Sequence, residues 1–215
     1  MNSLARNSVI FSVTIITLLI TACGLPGSSK ATVKQAYVLQ GTQPSSIPDG
    51  LVPKPCLSLR VSQPESAPGF NTVRMAYRIE PNRMDYFAYH EWVATPARMM
   101  ASLIETRLDE SGLFGAIVAG SSDIRTDLRL DSEVLSLQQE FEDRTSNVTL
   151  AVKVNLVKVS NRSLINSRTF SYRVPADEQN AEAGVVAASL ATERFLDDLA
   201  RFVSSAVKPM ECPRP

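Results

Sequence analysis

The run Asn147-Val148-Thr149-Leu150-Ala151-Val152-Lys153-Val154-Asn155-Leu156 alternates large apolar side chains with small or polar ones. A period of two puts Val148, Leu150, Val152, Val154 and Leu156 on one face of a strand. The pattern extends in both directions along the chain. Phe170, Tyr172 and Val174 repeat it downstream, and Leu128 and Leu130 begin it upstream. Leu135, Leu137 and Phe141 fall on the opposite parity from Leu128 and Leu130, so one extra residue between the two sets, a bulge, restores a single apolar face. The joints Asp143-Arg144-Thr145-Ser146 and Ser160-Asn161-Arg162-Ser163 are short and polar, which makes these three strands an antiparallel meander.

A sheet with one apolar face needs a cover. Residues 178–207 supply a long helix in which Ala188, Ala191, Phe195, Leu196, Leu199, Phe202, Val203 and Ala206 face the sheet. Glu193, Asp197 and Arg201 take its other side, the last two as an i,i+4 pair. A second helix starts at Thr95-Pro96, threonine at the cap and proline at the first helical position. Met99, Met100, Leu103, Ile104 and Leu108 form its apolar side, Arg98, Glu105 and Asp109 the polar one, and Ser111-Gly112 the stop. Upstream, residues 33–40 (Ala36-Tyr37-Val38-Leu39 within them) and 56–62 (Leu57, Leu59, Val61) read as strands. Residues 72–80 and 83–89 form a hairpin about Pro81-Asn82, with Met84, Tyr86, Ala88, His90 and Trp92 sharing one face. Between the first two strands, Pro44, Pro48, Pro53 and Pro55 make residues 41–55 a loop inside the domain. The fold class is α+β: a single domain whose antiparallel sheet carries two main helices packed on one face.

Composition narrows the function. In 215 residues, 22 basic side chains balance 22 acidic ones, which excludes a nucleic-acid binder working by bulk charge and an acidic disordered tail. His90 is the only histidine, so multi-histidine metal sites are excluded as well.

The N-terminus reads as an address. Arg6 is followed by an apolar run of 12 residues, Val9 to Ile20, and then by Thr21-Ala22-Cys23. Twelve residues are too few to span a bilayer, which takes roughly 18. A cysteine closing the run after small residues resembles the lipobox of bacterial lipoproteins, in which the thiol receives a diacylglycerol, the bond before Cys23 is cut and the new amine is acylated. Two or three acyl chains hold a protein on a membrane, at about 0.8 kcal/mol per buried CH₂. Gly24, where inner-membrane retention usually uses aspartate, points to the periplasmic side of the outer membrane. Residues 1–22 are then a signal peptide, 23–32 a lipidated tether, 33–208 the domain and 209–215 a C-terminal tail. With Cys23 acylated, Cys56 and Cys212 remain as an even pair in an oxidising compartment, and a bridge would pin the Pro-rich tail. The alternative is two unpaired thiols, one buried and one frayed.

Little else suggests chemistry. His90-Glu91 lacks the second histidine of a zinc-protease helix, and neither a Gly-x-Ser-x-Gly elbow, a phosphate loop, a Cys-x-x-Cys pair nor an acidic calcium loop accompanies it. A strand histidine beside Trp92 is the plain account. Asn147-Val148-Thr149 and Asn161-Arg162-Ser163 match a glycosylation sequon, which a bacterial lipobox makes irrelevant. Tyr86, Phe87, Tyr89 and Trp92 either line a lipid groove or pack the core. No catalytic residue, metal ligand or cofactor site emerges.

These residues together resemble a known family, the ABC-type transport auxiliary lipoproteins of the PqiC-like group. The likeness rests on the lipobox, on Tyr37-x-Leu39, and on Trp92-x-x-x-Pro96 followed by Met99, Leu103 and Leu108. Leu135-x-Leu137-x-x-x-Phe141, the 148–156 strand and the last helix complete it. The long Pro-rich loop and the Cys56/Cys212 pair depart from the family pattern. The resemblance implies a non-enzymatic, lipid-anchored subunit working with a periplasmic mammalian-cell-entry (MCE) domain protein and an inner-membrane transport component, moving lipids or other hydrophobic solutes between membranes. It implies no catalytic residues. A homo-oligomer is compatible with it, because MCE proteins are rings. Two modes of action follow: docking the MCE conduit, for which a filled core is expected, or carrying an acyl chain in the domain's own groove, for which an apolar cavity of several hundred Å³ is expected.

Overall fold

The computed structural model describes residues 33–41, 48–120 and 124–212. Cys23, the signal segment, the tether and residues 42–47 of the proline loop lie outside them. In chain order the elements are β1 (Gln35–Tyr37), β2 (Lys54–Val61), β3 (Glu65–Ser66), β4 (Arg74–Glu80), β5 (Arg83–Trp92), α1 (Pro96–Glu110), β6 (Phe114–Ala119), β7 (Leu128–Glu142), β8 (Thr145–Lys158), β9 (Ser163–Ala176) and α2 (Ala181–Val207).

The expected meander is the spine. β7 pairs antiparallel with β8, and β8 with β9, along nearly their whole lengths. Val148, Leu150, Val152, Val154 and Leu156 are all at most 2% exposed. The expected bulge forms, but at Leu135 itself rather than before it: Val134 faces Val152 and Ser136 faces Ala151, so Leu135 is the extra residue and is only partly buried, and Val134 takes the core position expected for it. Leu128, Leu130, Val134 and Leu137 thereby reach the same buried face.

The sheet as a whole is mixed rather than antiparallel. The other edge of β7 is taken in turn by β2 at Leu128–Leu130, β3 at Glu133–Val134 and β4 at Gln138–Glu140, all parallel to it. Pro64 and Pro68 interrupt what is, in space, one long partner strand. β6 joins β2 and β1 joins β5, both in parallel, giving nine strands among the described residues. Parallel partners arrive by long crossovers and leave no local signature, unlike a hairpin. β3 and β6 are accordingly strands that the pattern of apolar residues does not predict.

The β4–β5 hairpin turns at Pro81-Asn82 as expected, but its faces differ from the simple alternation. Ala76 faces Tyr86 while Arg74 faces Glu91, so β5 slips register in between. Phe87 therefore packs with the core beside buried Trp92, while Tyr86 donates its hydroxyl hydrogen to Gly69 O at 2.9 Å and lies under the Arg74 guanidinium.

Both helices lie on one face, touching each other and β7. α1 begins after Thr95, which is extended, with Pro96 at the first position; the Thr95 side chain makes no capping bond. Gly112, at φ +61°, takes the left-handed turn that ends it. α2 starts at Ala181, three residues later than its apolar spacing suggests, because the Asn180 side chain accepts from Ala183 N–H at 2.8 Å. All eight residues expected to face the sheet are buried. The expected Asp197–Arg201 pair does not form: Asp197 pairs with Arg107 of α1, and Arg201 with Asp198.

The first turn of α2 is fastened to the β7–β8 turn by buried polar groups. Gln139 Nε2 donates to Ser146 Oγ at 2.9 Å and to Asn180 O at 3.0 Å, and Ser146 Oγ donates to Glu178 O at 3.1 Å. The same glutamine lets α2 approach closely only at Gly184, where a Cβ would lie 2.2 Å from Gln139 Oε1. Replacing glycine by alanine inside a helix ordinarily gains about 1 kcal/mol. Here Gln139 is held at its nitrogen and cannot withdraw, so Gly184→Ala should lose about 1–3 kcal/mol by overpacking, read as a lower thermal midpoint; an unchanged or raised midpoint would refute this packing.

Tyr172 of β9 is half-buried and donates to Asp198 Oδ2 at 2.8 Å. Burial first, then the Asp198 carboxylate, push its phenol well above the ordinary range. A raised value means that its contribution to stability is complete below the unfolded pKa of about 10 and is lost as pH rises through the folded value. Tyr172→Phe should therefore flatten the fall in stability above pH about 10, measured by denaturant unfolding across that range.

Candidate functional site

The interior is the first place to look for a lipid. The gap between α2 and the sheet, lined by Met75, Phe87, Trp92, Leu137, Val148 and Ala188, measures about 10 Å³, room for one water at most. Over the helices, the chain after β1 closes the groove. Leu39 is buried, Gln40 N–H donates to Ser189 Oγ at 3.2 Å, and Gly41 sits against Leu103 and Leu196. Further on, Val52 N–H donates to Ser204 Oγ at 2.8 Å. The four aromatics that could have lined a groove do not meet in one. Tyr86 sits under Arg74, Phe87 packs tilted against Tyr77 and edge-on to Phe141, Tyr89 is exposed and Trp92 is core.

His90 belongs to a polar cluster at the end where β1 begins. Tyr37 Oη lies 3.1 Å from His90 Nδ1, 3.0 Å from Glu182 Oε1 and 2.6 Å from Gln35 Oε1. Its one hydrogen can serve only one of these acceptors at a time. Burial, then Glu182, raises the Tyr37 phenol; the Glu182 carboxyl is lowered by its own backbone N–H, then by the Tyr37 hydroxyl, with His90 adding to the effect. The trio joins β1, β5 and the first turn of α2. It works as a fastening. Among the described residues no cluster of three or more potential metal ligands occurs, and no helix is long and apolar enough to cross a membrane.

On the outer face, Glu140 is nearly buried and pairs with both Arg78 at 2.5 Å and Arg173 at 2.7 Å, tying β4, β7 and β9 together. The sequence pattern does not reveal this carboxylate, because charged residues on the polar parity of a strand read as solvated.

The opposite end of the sheet carries an open cleft of about 850 Å³, lined by Leu57, Ser58, Arg125, Asp127, Lys158 and Met210 among others. Asp127 accepts from Ser58 N–H and Oγ at 2.8 and 2.7 Å. One wall of the cleft is the tail after α2. Lys54 Nζ donates to Met210 O at 2.8 Å, and the sulfurs of Cys56 and Cys212 meet in bonding contact with their Cα atoms 5.6 Å apart, inside the range a disulfide needs.

A model of the family described as the ABC-type transport auxiliary lipoprotein component matches residues 37–200. The chain belongs to that family. Protein XCC0632 from Xanthomonas campestris superposes with a TM-score of 0.69 at 18% identity, over 81% of this chain and 94% of its own. The hypothetical protein CT253 from Chlamydia trachomatis does so with a TM-score of 0.52 at 11% identity, over 70% and 97%. At such identities the likeness is one of fold. No curated protein matches the chain.

We propose that Cys56 and Cys212 form a disulfide in the periplasm and that the bridge retains the tail as a wall of the cleft. Closing a loop of 156 residues is worth about 5 kcal/mol in the chain-entropy model, and usually less in practice. Peptide mapping without reductant should recover the two cysteines in one linked species; two separately alkylated peptides from periplasmic material would refute the bridge. Cys212→Ser should make residues 208–212 sensitive to protease while the sheet stays folded by circular dichroism.

Proposed function

We propose that this transport auxiliary lipoprotein is a non-catalytic docking subunit, held by acylated Cys23 on the periplasmic side of the outer membrane, that receives the end of an MCE-domain conduit fed by an inner-membrane transport component. The filled interior carries this reading. A domain that carried an acyl chain itself would need an enclosed apolar cavity of at least about 300 Å³, and the gap under α2 is about 10 Å³. Residues 24–32 reach at most about 30 Å when extended, so a domain tethered by them works close to its membrane.

Two measurements test the proposal. Intact-mass analysis of the membrane-extracted protein should show the loss of residues 1–22 together with added acyl groups, and Cys23→Ala should release or misprocess it. A protein retaining Met1, or cut elsewhere without lipid, would end the anchoring claim. The domain should co-purify with the periplasmic region of the MCE protein encoded in the same genome and carry no stoichiometric phospholipid. About one phospholipid per chain, together with no partner binding, would turn the assignment to a lipid carrier.

A further inference from the structure

The sheet ends in unpaired edges, and they are not alike. Among the described residues β9 pairs only with β8 and leaves one edge of its fourteen residues unpaired. It is guarded in the usual ways: Arg168 and Arg173 stand along it, Pro175 removes a donor, and Asn166 Oδ1 occupies Ser167 N–H at 2.9 Å. The outer edge of β1 is three residues long. β6 has no guard. Among the described residues it pairs only with β2, and Leu113 to Gly120 contains neither a charge nor a proline.

The direction of its backbone follows from one bond. Gly120 N–H donates to Val61 O of β2 at 3.0 Å, and peptide groups alternate along a strand, so Val118 also faces β2 while Ile117 and Ala119 point their N–H and C=O groups away from it. Side chains on both faces of this edge are small or apolar: Ile117 is opposite Leu59 and Ala119 opposite Val61 on the core side, with Ala116 and Val118 on the other. Gly115 is also constrained, since a Cβ there would lie 2.0 Å from Pro55 O.

We infer that β6 is a docking edge that accepts an extended, uncharged, apolar segment of the MCE-domain partner as a tenth strand; the identity of that partner rests on the function proposed above. The size of the edge decides the occupant. Six residues span about 20 Å, and two rigid copies meeting edge to edge over that length bury far less than the roughly 800 Å² per side of a stable interface. A flexible segment gains the ladder bonds and also lays side chains on both apolar faces.

Hydrogen–deuterium exchange at single amides tests this on the full-length acylated protein, alone and with the periplasmic region of the MCE protein. Complex formation should slow Ile117 and Ala119 at least tenfold; a complex that leaves both unchanged overturns the inference. Ala119→Pro removes an outward N–H without touching the ladder to β2 and should weaken partner binding at least tenfold. Ala116→Lys, which keeps every backbone group, should do the same if the proline variant fails to fold, and full binding by Ala116→Lys would overturn the inference. If no complex forms, the proposed function fails, and the edge is decided by a labelled peptide of four alternating Thr-Val repeats: protection of Ile117 and Ala119 supports a docking edge, and its absence overturns it. Protection in the protein alone that disappears on dilution would assign the edge to a second copy and overturn the inference.

Discussion

Fifteen residues of β7 must find hydrogen-bond partners on both edges while keeping one face apolar, and most of the architecture answers that demand. β8 satisfies one edge continuously. The other is too long for any single preceding segment, so β2, β3 and β4 share it in sequence, each running in the direction of β7. The bulge at Leu135 resets the parity midway, so that Leu128, Leu130, Val134 and Leu137 all reach the helices. Without it half of the strand would turn its apolar side to water.

The helices are then set by polar contacts as much as by burial. Gln139, on the inner face of β7, fixes the first turn of α2 through Asn180 and Ser146. Arg107 is nearly buried and reaches across to Asp197, joining α1 to α2. Such a pair is weak evidence of net stability, since desolvation offsets much of the attraction, but breaking it leaves a buried charge at a cost of about 3–5 kcal/mol. Its effect is to hold the helix pair in one arrangement. With the groove above them crossed by Leu39–Gly41 and the gap beneath α2 filled, the domain is built as a closely packed platform.

A platform acts through its surface. The Tyr37–His90–Glu182 cluster fastens the end at which the chain enters the sheet, and the cleft beside the C-terminal tail lies at the opposite end. The Arg78–Glu140–Arg173 network ties the outer face near the β7–β8 turn, while β6 lies at one side of the sheet.

Local periodicity records which side of an element is buried, and that much the sequence determined alone. It marks the meander, the need for a bulge, the apolar faces of both helices, the stop at Gly112 and the cysteines available to restrain the tail, because each depends on residues close together in the chain. Tertiary structure alone decided the pairing. The three parallel partners of β7, the short β3 and the neutral edge strand β6 depend on backbone bonds between segments tens of residues apart, which no periodicity encodes. The register slip that brings Phe87 inward, the choice of Arg107 over Arg201 by Asp197, and the burial of Glu140 between two arginines have the same origin: each is settled by what lies across the gap, on another strand or helix.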